Sequence, residues 1–196
     1  MTRFGSKLRL YILIGMLDLA VGVMFYVVNI RPEPPVIASN IPVVTRQAPL
    51  APRMIPAITG IPNRIVLQSL DIDLSVDVGS YNPTDNSWTI GTTRAYYADP
   101  SLPANNSNGR TLIYGHAQPQ VFGRLPEIQL DAEALVYTDS GYLFHYKYKA
   151  MTAVVPTDTS VFDANGPPTL VLQTCTGDWD AYRALFSFTF ESVEKI

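Results

Sequence analysis

Eight short runs of apolar or alternating residues, separated by turn residues, fill the chain after Asn63. They read RIVLQSL, LSVDVGS, SWTI, TLIYGHA, ALVYTDS, YLFHYKYKAMTAVVP, TLVLQTC and RALFSFTFESV. Runs of this length, bounded by turn residues, are typical of β-strands. The pattern predicts an all-β fold, an antiparallel sandwich or closed barrel of about eight strands. Two further stretches, TTRAYYAD and QVFGRLPEI, are each predicted to form a turn or two of helix.

The last run alternates most clearly. Ala184, Phe186, Phe188 and Phe190 fall on one face of the predicted strand, whereas Arg183 falls on the other. Because successive side chains of a strand point to opposite faces, Arg183 is predicted to point away from the aromatic core.

An apolar run covers residues 10–30, and Arg3, Lys7 and Arg9 precede it. Its length is sufficient to cross a bilayer, which takes roughly 20 residues. A secretory signal peptide is the alternative, but it has a shorter apolar region and a small-residue cleavage site, which is not found here. The pattern favours a retained transmembrane anchor. The preceding positive charges predict a cytoplasmic N-terminus and a single-pass plasma-membrane protein whose remaining residues lie outside the cell.

Residues 31–62 carry half of the 16 prolines and almost no periodicity. Proline donates no backbone hydrogen bond and fixes its own φ, so this segment is predicted to be a semi-rigid extended linker. The predicted organisation is a cytoplasmic N-terminus over residues 1–9, a membrane anchor over 10–30, the linker over 31–62, and a β-rich domain over 63–196.

The charge and the cysteine content exclude several classes of protein. The formal net charge is −3 and the pI is about 5.3, so the basic surface that dominates nucleic-acid binding is missing. The single cysteine cannot form an internal disulfide, and the two histidines do not have the spacing of a structural zinc site. Nucleic acid is therefore not an expected partner, and no cofactor is expected.

Cys175, His116 and Arg183 each lie at one end of an apolar run. Taken alone, Cys175 could be a buried small hydrophobe, and the other two could be solvated surface residues. Together they suggest chemistry. An imidazole near a thiol can accept its proton or stabilise the thiolate, and a guanidinium suits an oxyanion or a substrate carbonyl.

Three motifs of the chain resemble those of the sortases, membrane-anchored cysteine transpeptidases of mainly Gram-positive bacteria. The stretch TLVLQTC followed by RALFSF is similar to the cysteine motif, with matches at Leu172, Thr174, Cys175 and Arg183. The stretch LIYGHAQPQVFGRL is similar to the histidine motif, with matches at Gly115, His116, Phe122 and Leu125. The stretch PNRIVLQSLDIDLSVDV is similar to the start of the sortase domain.

The resemblance implies an eight-stranded sortase-like barrel with one or two short helices, and a groove over the strands that carry the three catalytic candidates. Cys175 is implied to be the nucleophile and His116 the acid that protonates the leaving amine. Arg183 is implied to hold the substrate backbone or the oxyanion, and Thr174 is implied to bind substrate.

The implied substrate is a sorting signal of the L-P-x-T-G type near the C-terminus of a secreted protein. An amine of a cell-wall precursor or of another protein, such as a pilin, would then release the acyl group from the enzyme. The implied partners are thus these proteins, the amine and the membrane.

Alternatives to this interpretation remain. A membrane-anchored β-barrel binding module, descended from a sortase without activity, would leave Cys175 merely buried. An L,D-transpeptidase also uses Cys and His, but its S-H-G-C type motif is absent. His145 alternates with apolar residues on an exposed strand face, so it is interpreted as structural. Asp158 and Asp163 are too few for calcium, which takes six to eight oxygen ligands, and no required metal is expected.

Overall fold

The computed structural model describes residues 56–196. The predicted cytoplasmic N-terminus, the membrane anchor and most of the linker lie outside this range. Among the described residues, no helix combines the length and the apolar character needed to cross a bilayer. The end of the predicted linker is already ordered by pairing, since Thr59–Gly60 forms a short antiparallel ladder with Ala104–Asn105.

Eight strands close into a barrel. They are β1 (Pro62–Leu67), β2 (Ile72–Gly79), β3 (Ala95–Ala98), β4 (Arg110–Tyr114), β5 (Glu133–Thr138), β6 (Tyr142–Val154), β7 (Thr169–Thr176) and β8 (Tyr182–Lys195). Around the barrel the order is β1, β2, β3, β4, β7, β8, β6, β5 and back to β1. The β2/β3 and β4/β7 pairs are parallel and the other six are antiparallel. The predicted all-β barrel of eight strands is therefore confirmed.

Two predictions about individual elements are wrong. The run SWTI is not a barrel strand, because Ser87–Trp88 pairs with Tyr81–Asn82 in a small separate hairpin. The barrel strand is instead β3, which lies in the stretch TTRAYYAD that was expected to be helical. All four residues of β3 are buried, because both faces of the strand are covered. A strand that is buried on both faces shows no alternation, so its period could not be recognised.

The helical content of the described residues is limited to four short 3₁₀ turns. They are Gln68–Leu70, Leu125–Glu127, Ser160–Phe162 and Asp178–Asp180. The turn predicted within QVFGRLPEI is confirmed by Leu125–Glu127.

The barrel buries two apolar clusters, one on each side of its wall. The inner cluster fills the barrel and includes Phe122, Phe144, Phe186 and Phe188, all at most 1% exposed. The second cluster, called here the outer cluster, lies on the outside of β3, β4, β7 and β8. Its buried members are Tyr96, Ala98, Leu112, Tyr114, Val161, Val171 and Leu185, and Trp88, Val154 and Phe162 pack against them.

Alternation along β7 and β8 assigns each residue to one of the two sides. Leu170 and Leu172 belong to the inner cluster and Val171 to the outer one. On β8, Phe186 is inside and Leu185 is outside. The barrel wall thus carries a fully packed interior and a partly covered apolar exterior.

Candidate active site

The register of the strands brings the three catalytic candidates to one level of the barrel. Cys175 on β7 is the direct cross-strand partner of Arg183 on β8. On the other side of β7, Gln173 is the parallel partner of Tyr114. Cys175 follows Gln173 by two residues, and His116 follows Tyr114 by two residues, so both come after this pair in the same chain direction. We call His116, Cys175 and Arg183 the catalytic row.

The catalytic row lies on the outside of the barrel. Cys175 lies on the same face of β7 as Val171, and Arg183 lies on the same face of β8 as Leu185. Val171 and Leu185 both belong to the outer cluster. His116 lies two residues after Tyr114, an outer residue that ends β4. All three are partly exposed. The prediction that Arg183 points away from the aromatic core is confirmed, since Ala184 belongs to the inner cluster.

The backbone around His116 is fixed by its neighbours in the motif. The Gly115 amide donates to the Gln173 carbonyl at 3.0 Å, which extends the β4/β7 ladder toward Cys175. The Phe122 amide donates to the His116 carbonyl at 3.1 Å, and Phe122 itself is fully buried. A Cβ atom on Gly115 would lie 2.7 Å from Val121 Cγ1, so this close approach requires glycine.

A tight turn between β7 and β8 places Arg183 beside Cys175. Gly177, Trp179 and Asp180 all have positive φ, at 79°, 59° and 59°. The Arg183 Nη1 donates to the carbonyl oxygens of Asp180 at 2.9 Å and Tyr182 at 3.2 Å. Arg183 therefore stabilises the turn that holds it, a second role that alternation along the strand does not reveal.

The electrostatics of the thiol are set by three opposing influences. Burial raises the pKa of the Cys175 thiol above its usual value, the Arg183 guanidinium lowers it, and the Asp180 carboxylate raises it. Burial is the largest of these, so the neutral thiol is favoured in the described arrangement. Sequence reasoning missed Asp180, whose influence depends on the fold of the turn rather than on a motif.

Thr174 lies on the other side of the barrel wall from Cys175. Its side chain is 3% exposed, and Oγ1 has no hydrogen-bond partner among residues 56–196. Thr174 lies on the same face of β7 as Leu172, which belongs to the inner cluster. Its role in substrate binding stays a prediction. Because Thr174 lies on the inner side of β7, it would support the catalytic row from inside the barrel.

His145 lies on β6, nine residues before Val154, which is the cross-strand partner of Arg183. Its Nδ1 lies 3.1 Å from Glu133 Oε1 and its Nε2 lies 3.3 Å from Glu194 Oε1, so both ring nitrogens face carboxylates. The ring thereby links β5, β6 and β8. This arrangement agrees with the structural role that was expected for His145.

The two acids considered as calcium ligands hydrogen-bond within their own loop. Asp158 accepts the Ser160 amide at 2.7 Å, and Asp163 accepts the Asn165 amide at 2.9 Å. Hydrogen bonds from the Ser160 side chain and amide lower the pKa of Asp158, and those from the Asn165 amide and side chain lower the pKa of Asp163. Within the described residues, no group of three or more His, Cys, Asp or Glu side chains is arranged to hold a metal ion.

Solved structures of sortases share this fold. The chain aligns with sortase A from Listeria monocytogenes at 19% identity and a TM-score of 0.56, covering 70% of this chain and 91% of that one. Sortase E1 from Streptomyces coelicolor, solved with a tripeptide in its active site, aligns at 15% identity and a TM-score of 0.57, with coverages of 70% and 91%. Sortase A from Corynebacterium diphtheriae aligns at 18% identity and a TM-score of 0.55, with coverages of 70% and 63%. The chain thus spans less than two thirds of the Corynebacterium protein.

The comparison with curated proteins returned no match. The comparison with protein families matched residues 65–186 to the Sortase domain, which is more than half of the chain. This range includes the second half of β1, β2 to β7, the first part of β8 and the whole catalytic row. With the barrel and the motifs that end β4 and β7, the match establishes that the chain belongs to the sortase family, whose members are cysteine transpeptidases.

Proposed function

We propose that this protein cleaves a sorting signal of the L-P-x-T-G type in secreted proteins and transfers the acyl group to an amine of the cell wall or of another protein. The observation that carries the proposal is the catalytic row. Cys175 and Arg183 are cross-strand partners on β7 and β8, and His116 follows the end of β4, the strand that pairs with β7 on its other side.

The first half-reaction is acylation of the enzyme. The Cys175 sulfur, as thiolate, attacks the Thr-Gly carbonyl carbon, and a tetrahedral oxyanion forms. The C–N bond then breaks as the C–S thioester forms, and His116, as imidazolium, gives its proton to the leaving nitrogen. In the second half-reaction, the incoming amine loses a proton to His116 and attacks the thioester. The C–S bond breaks and the thiolate of Cys175 is regenerated.

Arg183 has the free donors that this scheme requires. Its two hydrogen bonds to the turn both use Nη1. A guanidinium has five N–H donors, so Nε and Nη2 remain without a partner among residues 56–196. Arg183 can therefore keep the β7–β8 turn in place and, at the same time, donate to the oxyanion or to a substrate carbonyl.

Peptide binding on this face is supported by a relative. The Streptomyces coelicolor sortase E1 structure holds a tripeptide in its active site. In this chain the strands that carry Cys175 and Arg183 also carry Val171 and Leu185 of the outer cluster, and its partly buried margin is formed by Trp88, Val154 and Phe162. Apolar surface with a few convergent polar groups is the usual composition of a ligand site.

The test is detection of the acyl-enzyme by mass spectrometry. The full chain, purified in detergent, is incubated with an L-P-x-T-G peptide, with and without an added amine such as triglycine. The expected result is a covalent adduct of the acyl fragment on Cys175, and an amine-exchanged product when triglycine is present. The Cys175→Ala variant is the control. An adduct that persists in this variant, or no adduct in the wild type with any sorting peptide, would contradict the proposal.

The second candidate is a membrane-anchored binding module without catalytic activity. The raised pKa of Cys175 favours it, because a thiol that is neutral through burial is a poor nucleophile. Labelling of the folded protein with a methanethiosulfonate reagent distinguishes the two. Rapid modification of Cys175 is expected for the enzyme, and protection until unfolding is expected for the module.

The proposed location is the plasma membrane, with the N-terminus in the cytoplasm and the catalytic domain outside. It rests on the apolar run over residues 10–30 and the basic residues before it. Protease added to intact cells is expected to digest the C-terminal domain of a membrane-fraction protein. Release of a shortened form into the medium would contradict the anchor.

A further inference from the structure

Two Asn-Gly sequences of the chain meet at one contact between loops. Asn108-Gly109 lies directly before β4, and Asn165-Gly166 lies in the loop between β6 and β7. The Gly109 amide donates to the Gly166 carbonyl at 2.9 Å, and Asn108 Nδ2 donates to the Ala164 carbonyl at 3.1 Å. The same dipeptide is therefore present on both sides of one hydrogen-bonded contact.

An Asn-Gly sequence can react through its own backbone. The glycine amide loses its proton to a base in the solvent, and its nitrogen attacks the Cγ atom of the asparagine. The Cγ–Nδ2 bond breaks, the nitrogen takes a proton from the solvent and leaves as ammonia, and a succinimide ring remains. Water then opens the ring at either of its carbonyl carbons, which gives aspartate or isoaspartate. The reaction requires a glycine amide that is free to lose its proton and a backbone that is free to turn.

The first sequence, Asn108-Gly109, does not meet these requirements. The Gly109 amide is bonded to the Gly166 carbonyl, and the Gly109 carbonyl accepts the Thr169 amide at 2.9 Å. Gly109 is buried with a φ of 73°, and a Cβ atom there would lie 2.4 Å from Leu102 Cδ1. A peptide segment that is bonded in both directions and packed this closely turns only after local opening of the structure.

The second sequence, Asn165-Gly166, meets both requirements. The Gly166 amide has no backbone hydrogen-bond partner among residues 56–196. Both residues are exposed, Gly166 has a φ of 94°, and nothing lies within 4 Å of a Cβ atom placed on it. The Asn165 amide and Nδ2 donate to Asp163 Oδ1 at 2.9 and 2.8 Å. These bonds stay within one exposed turn and leave the peptide unit that follows Asn165 free.

We propose that Asn165 is a site of spontaneous deamidation in the folded protein, whereas Asn108 is protected, and that the isoaspartate product loosens the contact between the two loops. Isoaspartate in place of Asn165 adds a methylene group to the backbone directly before Gly166. Because the Gly166 carbonyl accepts the Gly109 amide, a displaced carbonyl weakens that bond. The site lies outside the catalytic row, so the proposal does not depend on the proposed function.

The experiment compares the two sites within one sample. The full chain in detergent is kept in mildly alkaline buffer and digested with trypsin at intervals. The sites fall in separate tryptic peptides, residues 95–110 and 150–183, and Asn165 is the only asparagine of the second. Mass spectrometry is expected to show deamidation at Asn165 at least about 10-fold faster than at Asn108, because each 1.4 kcal/mol of local opening lowers a rate about tenfold.

The denatured chain is the matched control. In urea neither sequence has a folded environment, so the two rates should become similar. Asn165→Gln is the second control and should remove the fast reaction, because the longer side chain closes its ring slowly. Equal rates at the two sites of the native protein, or a faster reaction at Asn108, would overturn the proposal. Thermal unfolding checks that the variant keeps the barrel.

Hydrogen exchange tests the loosening of the contact. The Gly109 amide of the isoaspartate-containing protein is expected to exchange about 5-fold faster than in fresh protein, which corresponds to the loss of one hydrogen bond. Asn165→Asp adds the charge without lengthening the backbone and should change this rate less. An unchanged Gly109 rate in the modified protein, or an equal change in Asn165→Asp, would overturn the effect of the longer backbone.

Discussion

The two histidines of this chain lie in opposite chemical environments. The His145 ring has a carboxylate at each nitrogen, from Glu133 and Glu194. No such pair brackets His116 within the described residues, and it follows β4, which pairs with the strand that carries Cys175. A ring with both nitrogens engaged holds strands together, whereas a ring beside a nucleophile is available for proton transfer. Sequence position alone does not distinguish them, since both lie on or next to apolar strands.

The same contrast exists at the two ends of β8. Near its C-terminal end, Glu194 Oε1 lies 3.3 Å from the Nε2 atom of His145, a side-chain contact that links β8 to β6. At its N-terminal end, Arg183 bonds only to backbone carbonyls of its own turn among the described residues. Bonds to neutral carbonyls leave the guanidinium charge uncompensated. Among the described residues, β8 thus places a guanidinium without a carboxylate partner beside the single thiol, and a structural histidine–carboxylate contact at its far end.

The largest expected effect separates the two histidines directly. His116→Ala is expected to lower kcat/KM for peptide exchange by about 1,000-fold, within the range for loss of a general acid-base group. His145→Ala should stay within about twofold of wild type, because its ring contacts structural carboxylates. Steady-state assays with a fluorogenic sorting peptide measure both. Equal loss in the two variants would remove His116 from its proposed role.

The next largest effect is expected for Arg183, the cation of the catalytic row. Arg183→Ala is expected to lower kcat by about 100-fold, the usual result of removing one oxyanion donor. Arg183→Lys should recover little, because an ammonium does not reproduce the planar donor fork. Single-turnover acylation monitored by mass spectrometry gives the rate. Normal acylation in the alanine variant would show that Arg183 acts only on the turn.

Thr174 allows the two sides of the barrel wall to be compared. Thr174→Val removes a buried hydroxyl that has no partner, so the free energy of unfolding is expected to rise by about 1 kcal/mol. Chemical denaturation measures this change, and peptide exchange measures activity in the same sample. A more stable variant with impaired exchange would support the predicted role in substrate binding. A more stable and fully active variant would contradict it.

The structural histidine is expected to contribute modestly to stability. His145→Ala should lower the free energy of unfolding by about 0.5 kcal/mol, because partly exposed contacts between side chains contribute little. Glu133→Gln is the matched control and should give a similar or smaller loss. Denaturant titration at one pH measures both. A loss of several kcal/mol in His145→Ala would mean that the ring is more than a surface link.

The smallest expected effect is a shift in the pH dependence of thiol reactivity. Because burial raises the pKa of Cys175, the thiolate fraction at a given pH is reduced, and the alkylation rate should keep rising above the ordinary thiol value of about 8.5. Arg183→Ala removes a charge that lowers this pKa, so the midpoint should move up. Asp180→Asn removes a charge that raises it, so the midpoint should move down.

Screening by solvent keeps both shifts below about one pH unit. Alkylation rates with iodoacetamide over a series of pH values give the midpoints. Two shifts of the same sign would contradict the opposing influences of Arg183 and Asp180.

The sequence by itself was sufficient to predict the barrel and to select the three residues of the catalytic row as candidates, whose catalytic roles stay predictions. Seven of the eight runs coincide with barrel strands, because each strand shows a local period or a clear apolar run between turns. The row could be recognised because its members end such runs, and strand ends are where side chains leave the packed core. Local patterns of this kind can be recognised in the amino-acid sequence alone.

Only the tertiary structure decided which strand completes the barrel and what surrounds the row. β3 is buried on both faces, so its four residues carry no period. The opposing influences of Arg183 and Asp180 on the pKa of Cys175 depend on the backbone of the β7–β8 turn. The hydrogen bond to the His116 carbonyl depends on the loop that returns Phe122 to it. The contact between Trp88 and Phe162 joins residues that are distant in sequence. Such contacts exist only after the chain has closed, because the register of neighbouring strands, and not their order in sequence, determines which side chains meet.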